Sequence, residues 1–438
     1  MNETLQQVSA DATSNTGLTI AILGLLIFAA HLFTEIFSRK RIPDVLLLMV
    51  IGLIIGPVFA WVKPSDLGSV AGVFTTITLV IILFESGTQL NFNTLLNSIR
   101  GTMKLTLINF FVTMVVVALI GLIVKVNILA SLMLGAILGG TSSAVVIPMV
   151  KQLKISEKGG TILILESAFS DVLCIVFAWA FMQAIQSGQM NVGRVMGDIL
   201  SSFILATVIG VIASILWSYV LERVRHVKNS ILTTPAFVFI VYGLNEWLGF
   251  SGAIAALAFG IGMANIDSIY SNGLIVKRLF KTEPSKLNDT EKQLFSEVVF
   301  LLKTFFFIYI GISIKLDQLL PLLIGFAITV VLFALRLFIV KLSVNKEKES
   351  ILIEDKMFMS GIVPKGLAAA VLATIPVQRG VEGGETIQNV VFAVILFSII
   401  FTSVLVPVLE RNNAISRFYR RFFEGKRDPA VPVTIEQE

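Results

Sequence analysis

Stretches of about twenty apolar residues, the length that spans a bilayer core, recur along almost the whole chain. They fall near residues 17–37, 43–62, 68–90, 102–124, 128–150, 160–186, 196–221, 231–248, 251–266, 296–314, 318–342, 357–376 and 386–410, thirteen windows in 438 residues. With 55% hydrophobic residues, 14% charged residues and a mean hydropathy of +0.89, the chain cannot bury this surface in a soluble core. Lipid admits only helices and closed barrels, because each backbone polar group must find its partner inside the protein. Windows of this length predict helices, so the expected fold is an all-α polytopic membrane protein with about thirteen transmembrane helices. One cysteine, Cys174, and two distant histidines, His31 and His226, exclude a disulfide framework and a Cys/His metal site. No nucleophile, base and orienting group can be assembled outside the apolar windows, so an enzyme is not expected.

Charge sets the expected orientation. Residues 1–16 hold no Lys or Arg, so the first window lacks the basic flank of a cleaved signal and is expected to stay as a helix. Of the 34 Lys and Arg, 26 fall in alternate loops on one side, five (Lys63, Lys125, Arg194, Lys315 and Arg379) fall on the other, and Lys303, Arg336 and Lys365 lie inside windows. The positive-inside rule then puts the N-terminus outside and the C-terminus in the cytoplasm of a plasma-membrane protein. The net charge of +5 is a mark of topology, and nucleic-acid binding is not implied. The expected organisation is an extracellular N-terminus at 1–16, a transmembrane unit at 17–410 and a basic cytoplasmic tail at 411–438. No loop is long enough for a nucleotide-binding domain; the longest, 264–296, is expected to be partly helical. The tail interleaves Arg417, Arg420 and Arg421 with Phe418, Tyr419, Phe422 and Phe423, which suits the anionic lipid of the inner leaflet. A partner-binding helix is the alternative.

The sixth window carries Glu166 and Asp171 at hydrocarbon depth. An ionised group there costs about 3 kcal/mol or more, so such residues face protein or a wet cavity and handle ions or protons. On a helix Glu166 and Ser170 share a face with Asp171 half a turn on, and Ser167 stands beside Asp171 at a spacing of four. That gathers hard oxygen ligands suited to a small cation.

Two other windows are weakened at their centres. The fifth holds Gly139-Gly140-Thr141-Ser142-Ser143 with Pro148 beyond, and the twelfth holds Gly361-Ile362-Val363-Pro364-Lys365-Gly366; Gly and Pro both disfavour helix interiors. With the seventh window set aside, these are the fifth members of two six-helix halves, and the odd offset of seven makes the halves inverted repeats. Interrupted segments at matched places in inverted halves point to a secondary transporter with a midplane ion site. Close helix packing through small residues is the plainer alternative. Unwinding the fifth segment would direct the Thr141 carbonyl and the hydroxyls of Ser142 and Ser143 toward Asp171, while Lys365 would offset half-helix C-terminal dipoles. Glu85 reads as a cation-attracting funnel residue, as a pH-sensing site or as an interfacial carboxylate. Asn245 and Glu246 read as loop residues, and Phe305 to Phe307 as packed or lipid-facing.

These residues together resemble the monovalent cation/proton antiporter superfamily, in its sodium/proton exchanger branch. The resemblance runs from about Leu18 to Leu409 and rests on Pro43 through Pro57, Leu83-Phe84-Glu85-Ser86-Gly87, Gly139 through Pro148, Glu166-Ser167-Ala168-Phe169-Ser170-Asp171, Phe305 through Gly311, Ala334-Leu335-Arg336-Leu337 and Pro364-Lys365-Gly366. It implies that Asp171 binds cation and proton in turn, with Glu166 and Ser167 matching the start of the family's Glu-Ser-x-x-Asn-Asp motif and Thr141 the start of its Thr-Asp-Pro motif. Ser142 stands where that motif has Asp, and Ser170 where the other has Asn. Arg336 matches a basic residue expected to balance a buried carboxylate such as Glu166, with Lys303 a second candidate; Lys365-Gly366 stands where Arg-Gly is usual. A homodimer in membrane lipid, a role in pH homeostasis and no cofactor are also implied.

The expected ion ligands are therefore Asp171, Ser167, Thr141, Ser142 and Glu166, with Asp171, Ser167 and Thr141 holding the transported metal ion, and Arg336, Lys303, Lys365 and Ser170 in structural roles. The expected function is exchange of a monovalent cation, sodium first, for protons by alternating access. One titrating carboxylate suggests electroneutral stoichiometry. Potassium/proton exchange, a channel or sensor that keeps the fold, and an organic-solute symporter are the alternatives; against the last, the fifth window offers small hydroxyls and no aromatic pocket.

Overall fold

The computed structural model describes residues 43–424 apart from 91, 154, 188–191, 228–229, 273–283 and 345–350, together with residues 24, 25, 28, 31 and 32. The segment 1–16, most of the helix expected at 17–37 and the tail beyond 424 lie outside the described residues. Among the described residues all regular structure is helical. In chain order the helices are α1 (Asp44–Leu53), α2 (Gly68–Thr88), α3 (Phe92–Ile123), α4 (Ile128–Ile137), α5 (Ser143–Gln152), α6 (Glu157–Ser187), α7 (Val192–Arg225) and α8 (Thr233–Trp247). They continue as α9 (Gly252–Ala264), α10 (Ile266–Asn272), α11 (Asp289–Ser313), α12 (Leu319–Ser343), α13 (Ile353–Gly361), α14 (Leu367–Gln378), α15 (Gly384–Arg411) and α16 (Asn413–Glu424). Six of them, within α3, α6, α7, α11, α12 and α15, are long and apolar enough to cross a membrane, which makes this a multi-pass membrane protein.

Local chemistry sets the boundaries. Pro43 precedes α1, and Pro57, which has no N–H to donate, lies in a π-helical turn over Ile54–Val58 that closes it. Helix α11 begins at Asp289, about seven residues before its apolar window and inside the stretch expected to be partly helical, because its first two turns are polar. Its signal is a capping box: the Asn288 side chain accepts from the Glu291 N–H at 2.7 Å, and the Glu291 carboxylate accepts from the Asn288 N–H at 2.8 Å. On α7, Leu200, Ile204, Val208, Ile212 and Leu216 stand exposed at every fourth residue. That stripe suits lipid, since water would make it an aggregation surface.

The helices pack in two groups. α3 to α6 associate with α12 to α16, and α1, α2, α7, α8, α9 and α11 pack among themselves. The second group is drawn tight by small residues: a Cβ on Gly52 would lie 2.2 Å from the Ile308 carbonyl, and one on Gly311 would lie 2.3 Å from that of Met49, so α1 and α11 touch backbone to backbone. The groups meet where α6 touches α7 and α9, and where α14 touches α2 and α11. Part of the basic tail is packed against the helices. α16 packs on α13 and α15, with Tyr419 and Phe423 buried, Lys341 donating to the Phe422 carbonyl at 2.7 Å and Arg420 paired with Glu354 at 3.3 Å.

Candidate ion-binding site

Helix α6 is continuous through the site and carries both carboxylates; α4–α5 and α13–α14 are each interrupted beside it. The interruptions fall at residues 138–142 and 362–366, where Gly and Pro supply little helix propensity. The two unwound strands touch: the Ser142 N–H donates to the Pro364 carbonyl at 2.8 Å. Gly366 is required for this approach, since a Cβ there would stand 1.9 Å from the Ser142 hydroxyl.

Unwinding leaves helix-end carbonyls without intrahelical donors, and buried cations answer them. Lys365, 1% exposed, donates from Nζ to the Gly140 carbonyl at 2.7 Å, past the end of α4. Arg336 donates from Nε to the Met359 carbonyl at 3.0 Å, near the end of α13. Each broken helix thus meets a positive charge at its negative pole. Asn109 adds a contact from Nδ2 to the Gly139 carbonyl at 3.4 Å, and the Ser398 hydroxyl accepts the Lys365 N–H at 2.9 Å. Ser170 supports the same strand, accepting the Thr141 N–H at 3.1 Å and donating to the Ser167 carbonyl at 3.0 Å.

The two carboxylates of α6 have different fates. Glu166 is fully buried and held by a two-point bridge to Arg336, Nη1 to Oε1 at 2.5 Å and Nη2 to Oε2 at 2.6 Å. Asp171 instead faces a small cavity whose wall includes Thr141, Ser142, Ser143, Cys174 and Gly366. The cavity offers about 10 Å³ in which a water-sized particle can be centred, the room of one water or one small ion. Ser143 hydrogen-bonds the Asp171 carboxylate, whereas the hydroxyls of Thr141 and Ser142 are buried with no protein partner. Several other buried hydroxyls, such as those of Thr102 and Thr402, also stand without partners; what distinguishes those of Thr141 and Ser142 is that they face one cavity with a carboxylate. Hard oxygen donors around one carboxylate suit a monovalent cation or a proton, held one at a time.

Of the residues read from sequence as ligands, Asp171, Thr141 and Ser142 share this cavity. Glu166 and Ser167 stand apart from it. Glu166 is taken by Arg336, and the Ser167 hydroxyl donates to the Ile164 carbonyl of its own helix at 2.8 Å; neither lines the cavity. Lys303 does not reach Glu166 either; it pairs with Asp44 at 2.7 Å, joining α11 to α1. Asp44 was legible only as part of the Pro43 turn. Glu85 accepts from Gln89 one turn on. Asn245 and Glu246 are helical rather than loop residues, Asn245 fully buried with its amide donating to the Val241 carbonyl at 2.8 Å. Phe306 and Phe307 are fully buried. At the N-terminal end of α6, Asp355 accepts from the Ser156 N–H at 2.9 Å and hydroxyl at 2.5 Å, a contact with no signal in the sequence. Among the described residues no group of three His, Cys, Asp or Glu could hold a metal ion.

A family model described as sodium/hydrogen exchanger, transmembrane, matches residues 22–411. The potassium/proton antiporter NhaP2 of Shewanella sp. (strain ANA-3) is 22% identical over 388 residues, covering 86% of this chain and 64% of the relative. The sodium/proton antiporter 1 of Methanocaldococcus jannaschii is 30% identical over 165 residues, 36% of this chain and 38% of the relative. The chain thus spans about 64% of the length of the Shewanella protein. Among solved structures, that of the sodium proton antiporter MjNhaP1 from M. jannaschii at pH 8 matches with a TM-score of 0.72 and 20% identity, covering 90% of this chain and 98% of the other. The fold is shared.

Proposed function

Because this chain belongs to the sodium/hydrogen exchanger family, we propose that it exchanges a monovalent cation for protons across the plasma membrane by competition at Asp171. The observation that carries this is the cavity shared by Asp171 and the unpartnered hydroxyls of Thr141 and Ser142 at the crossing of two interrupted helices. The Asp171 carboxylate takes either a cation or a proton. A bare charge is costly to carry through the membrane, whereas either neutralised form can move. The two helix groups supply the moving parts, with α3–α6 and α12–α16 rocking against the rest to give alternating access. One carboxylate in the cavity gives one cation per proton and no net charge movement.

The matched breaks in α4–α5 and α13–α14, joined through Ser142 and Pro364, support two inverted six-helix repeats within about thirteen transmembrane helices spanning 17–410. The bias of basic residues supports an extracellular N-terminus at 1–16 and a cytoplasmic tail at 411–438. Glu166, Arg336, Lys365 and Ser170 hold the breaks in shape, Lys303 ties α11 to α1, and a homodimer in membrane lipid is the assembled form. Sodium is the first cation to test. Potassium is the second, favoured by the NhaP2 relatives named as potassium/proton antiporters and by Ser142, whose neutral hydroxyl gives a weaker field than a second carboxylate. Proteoliposomes with an entrapped pH dye decide between them: sodium, potassium and lithium are titrated separately, and saturable dequenching by at least one is expected. Unitary currents without saturable coupling would replace the exchanger by a channel.

A further inference from the structure

Beyond the Asp171 cavity lies a second one of about 120 Å³, whose wall includes Leu79, Ile175, Trp179, Tyr242, Glu246 and Arg379. Leu79 belongs to both walls, so the two cavities are neighbours along α2. On its far side the second cavity shares Thr75, Thr76, Tyr242, Thr374 and Gln378 with a wide one of about 800 Å³. The series leads from Asp171 toward the sparsely charged loops that carry Lys63 and Arg379. It is a vestibule on the face opposite the basic loops.

Two opposite charges share this vestibule and stand on different helix groups. Glu246, on α8, accepts the Gly252 N–H at 2.8 Å through Oε1; the Arg379 charge acts on it across the cavity, and among the described residues the two make no contact ion pair. Arg379 follows α14, and its guanidinium carbon sits 4.3 Å from the centre of the Trp179 ring on α6. The Arg379 side chain is exposed while the Trp179 ring beneath it is half-buried, and a carboxylate is a stronger, two-point partner for a solvated guanidinium than a ring face is. We propose that Glu246 is an outer recruiting site for the incoming monovalent cation, and that Arg379 is a tethered cation that takes the same carboxylate when the helix groups close over the vestibule. With the vestibule open, Arg379 rests on Trp179 and Glu246 draws cations toward Leu79. With it closed, Arg379 occupies Glu246 and the cation is barred. The inference rests on the exchange reading and deepens it by placing a selecting step ahead of Asp171.

The test uses the full-length protein in sealed vesicles of known orientation, with cation titrated on each face in turn. Glu246→Gln is expected to raise the cation KM about two- to fivefold on the vestibule face, the scale of one partly exposed ionic contact, and to leave the opposite face unchanged. Arg379→Gln is expected to lower KM on the vestibule face by a similar factor. The double variant should match Glu246→Gln alone, since a competitor without its site has no effect. If Arg379→Gln lowers KM as much in the Glu246→Gln background, Arg379 acts through its long-range field and the proposal falls. Equal changes on both faces, or no change in either single variant, overturn it too. Wild-type protein that exchanges no cation for protons would sink the underlying function as well, whereas normal wild-type exchange with any of those outcomes removes only the outer site.

Discussion

Glu166 and Asp171 stand five residues apart on one helix, and almost everything about them differs except their depth. Glu166 is met at both oxygens by Arg336; Asp171 is met by the hydroxyl of Ser143 and by a cavity. A buried carboxylate needs compensation in either case. For Glu166 the compensation is covalently part of the chain and always present. For Asp171, on the exchange reading proposed above, much of it arrives from outside as a cation or a proton. The difference between a structural charge and a working one is therefore read from what the fold leaves unmatched rather than from burial.

The largest effect expected from this contrast is at Asp171. Asp171→Asn keeps the volume and removes the exchangeable charge, so cation-driven proton flux in proteoliposomes should fall to the level of protein-free vesicles while thermal unfolding in detergent stays near that of the wild type. Flux at the wild-type rate would remove Asp171 from the mechanism.

Glu166→Gln should show the reverse profile. Breaking one side of a buried ion pair costs about 3–5 kcal/mol because the other charge is left uncompensated, and here Arg336 is fully buried. The expected result is a loss of folded, monodisperse protein and a large fall in unfolding temperature. Replacing both partners, Glu166→Leu with Arg336→Leu, should recover part of that stability. A Glu166→Gln protein of normal stability with altered cation selectivity would move Glu166 back among the ligands.

Gly366→Ala tests the ground on which the two carboxylates differ. The added methyl would stand 1.9 Å from the Ser142 hydroxyl, so the crossing strands must separate. Overpacking of this kind costs about 1–3 kcal/mol. Flux should drop sharply with only a moderate fall in unfolding temperature, because Ser142 and Thr141 shift relative to Asp171 while the Glu166–Arg336 bridge remains.

Much of this arrangement was legible before any coordinates. The apolar windows marked the helices, and the Gly and Pro of the fifth and twelfth segments marked the two breaks, because local propensity writes both into the sequence. Pairings over long separations were harder. The pairing of Glu166 with Arg336, 170 residues away, was legible only through the family resemblance, helped by Arg336 standing out as a charge inside an apolar window. Asp44 and Lys303, 259 residues apart, were not matched because Asp44 follows Pro43 at a helix start, where an acid needs no further reason. Helical spacing puts Ser167 beside Asp171 but does not say where its hydroxyl turns, and a serine in a helix readily bonds back to its own turn, as this one does to the Ile164 carbonyl. Glu246 looked like a loop residue because the windows on either side of it are short.

The smallest and most informative effect is at Ser142. Its hydroxyl is buried without a protein partner and lines the Asp171 cavity, so if it is a ligand, Ser142→Ala removes one oxygen from the cation and leaves the proton form of Asp171 largely unaffected. KM for the transported cation should rise several-fold, about 1 kcal/mol for one hydrogen-bond-strength contact, with little change in unfolding temperature. Ser142→Asp should act oppositely and unequally among cations. A second carboxylate strengthens the field on a small ion most, so sodium and lithium should gain over potassium. It also adds a second titrating group, and transport currents absent from the wild type should then appear if both groups change protonation in the cycle. Identical cation preference in wild type, Ser142→Ala and Ser142→Asp would mean that this hydroxyl is a bystander, and that selectivity resides with Asp171 and the Thr141 strand alone.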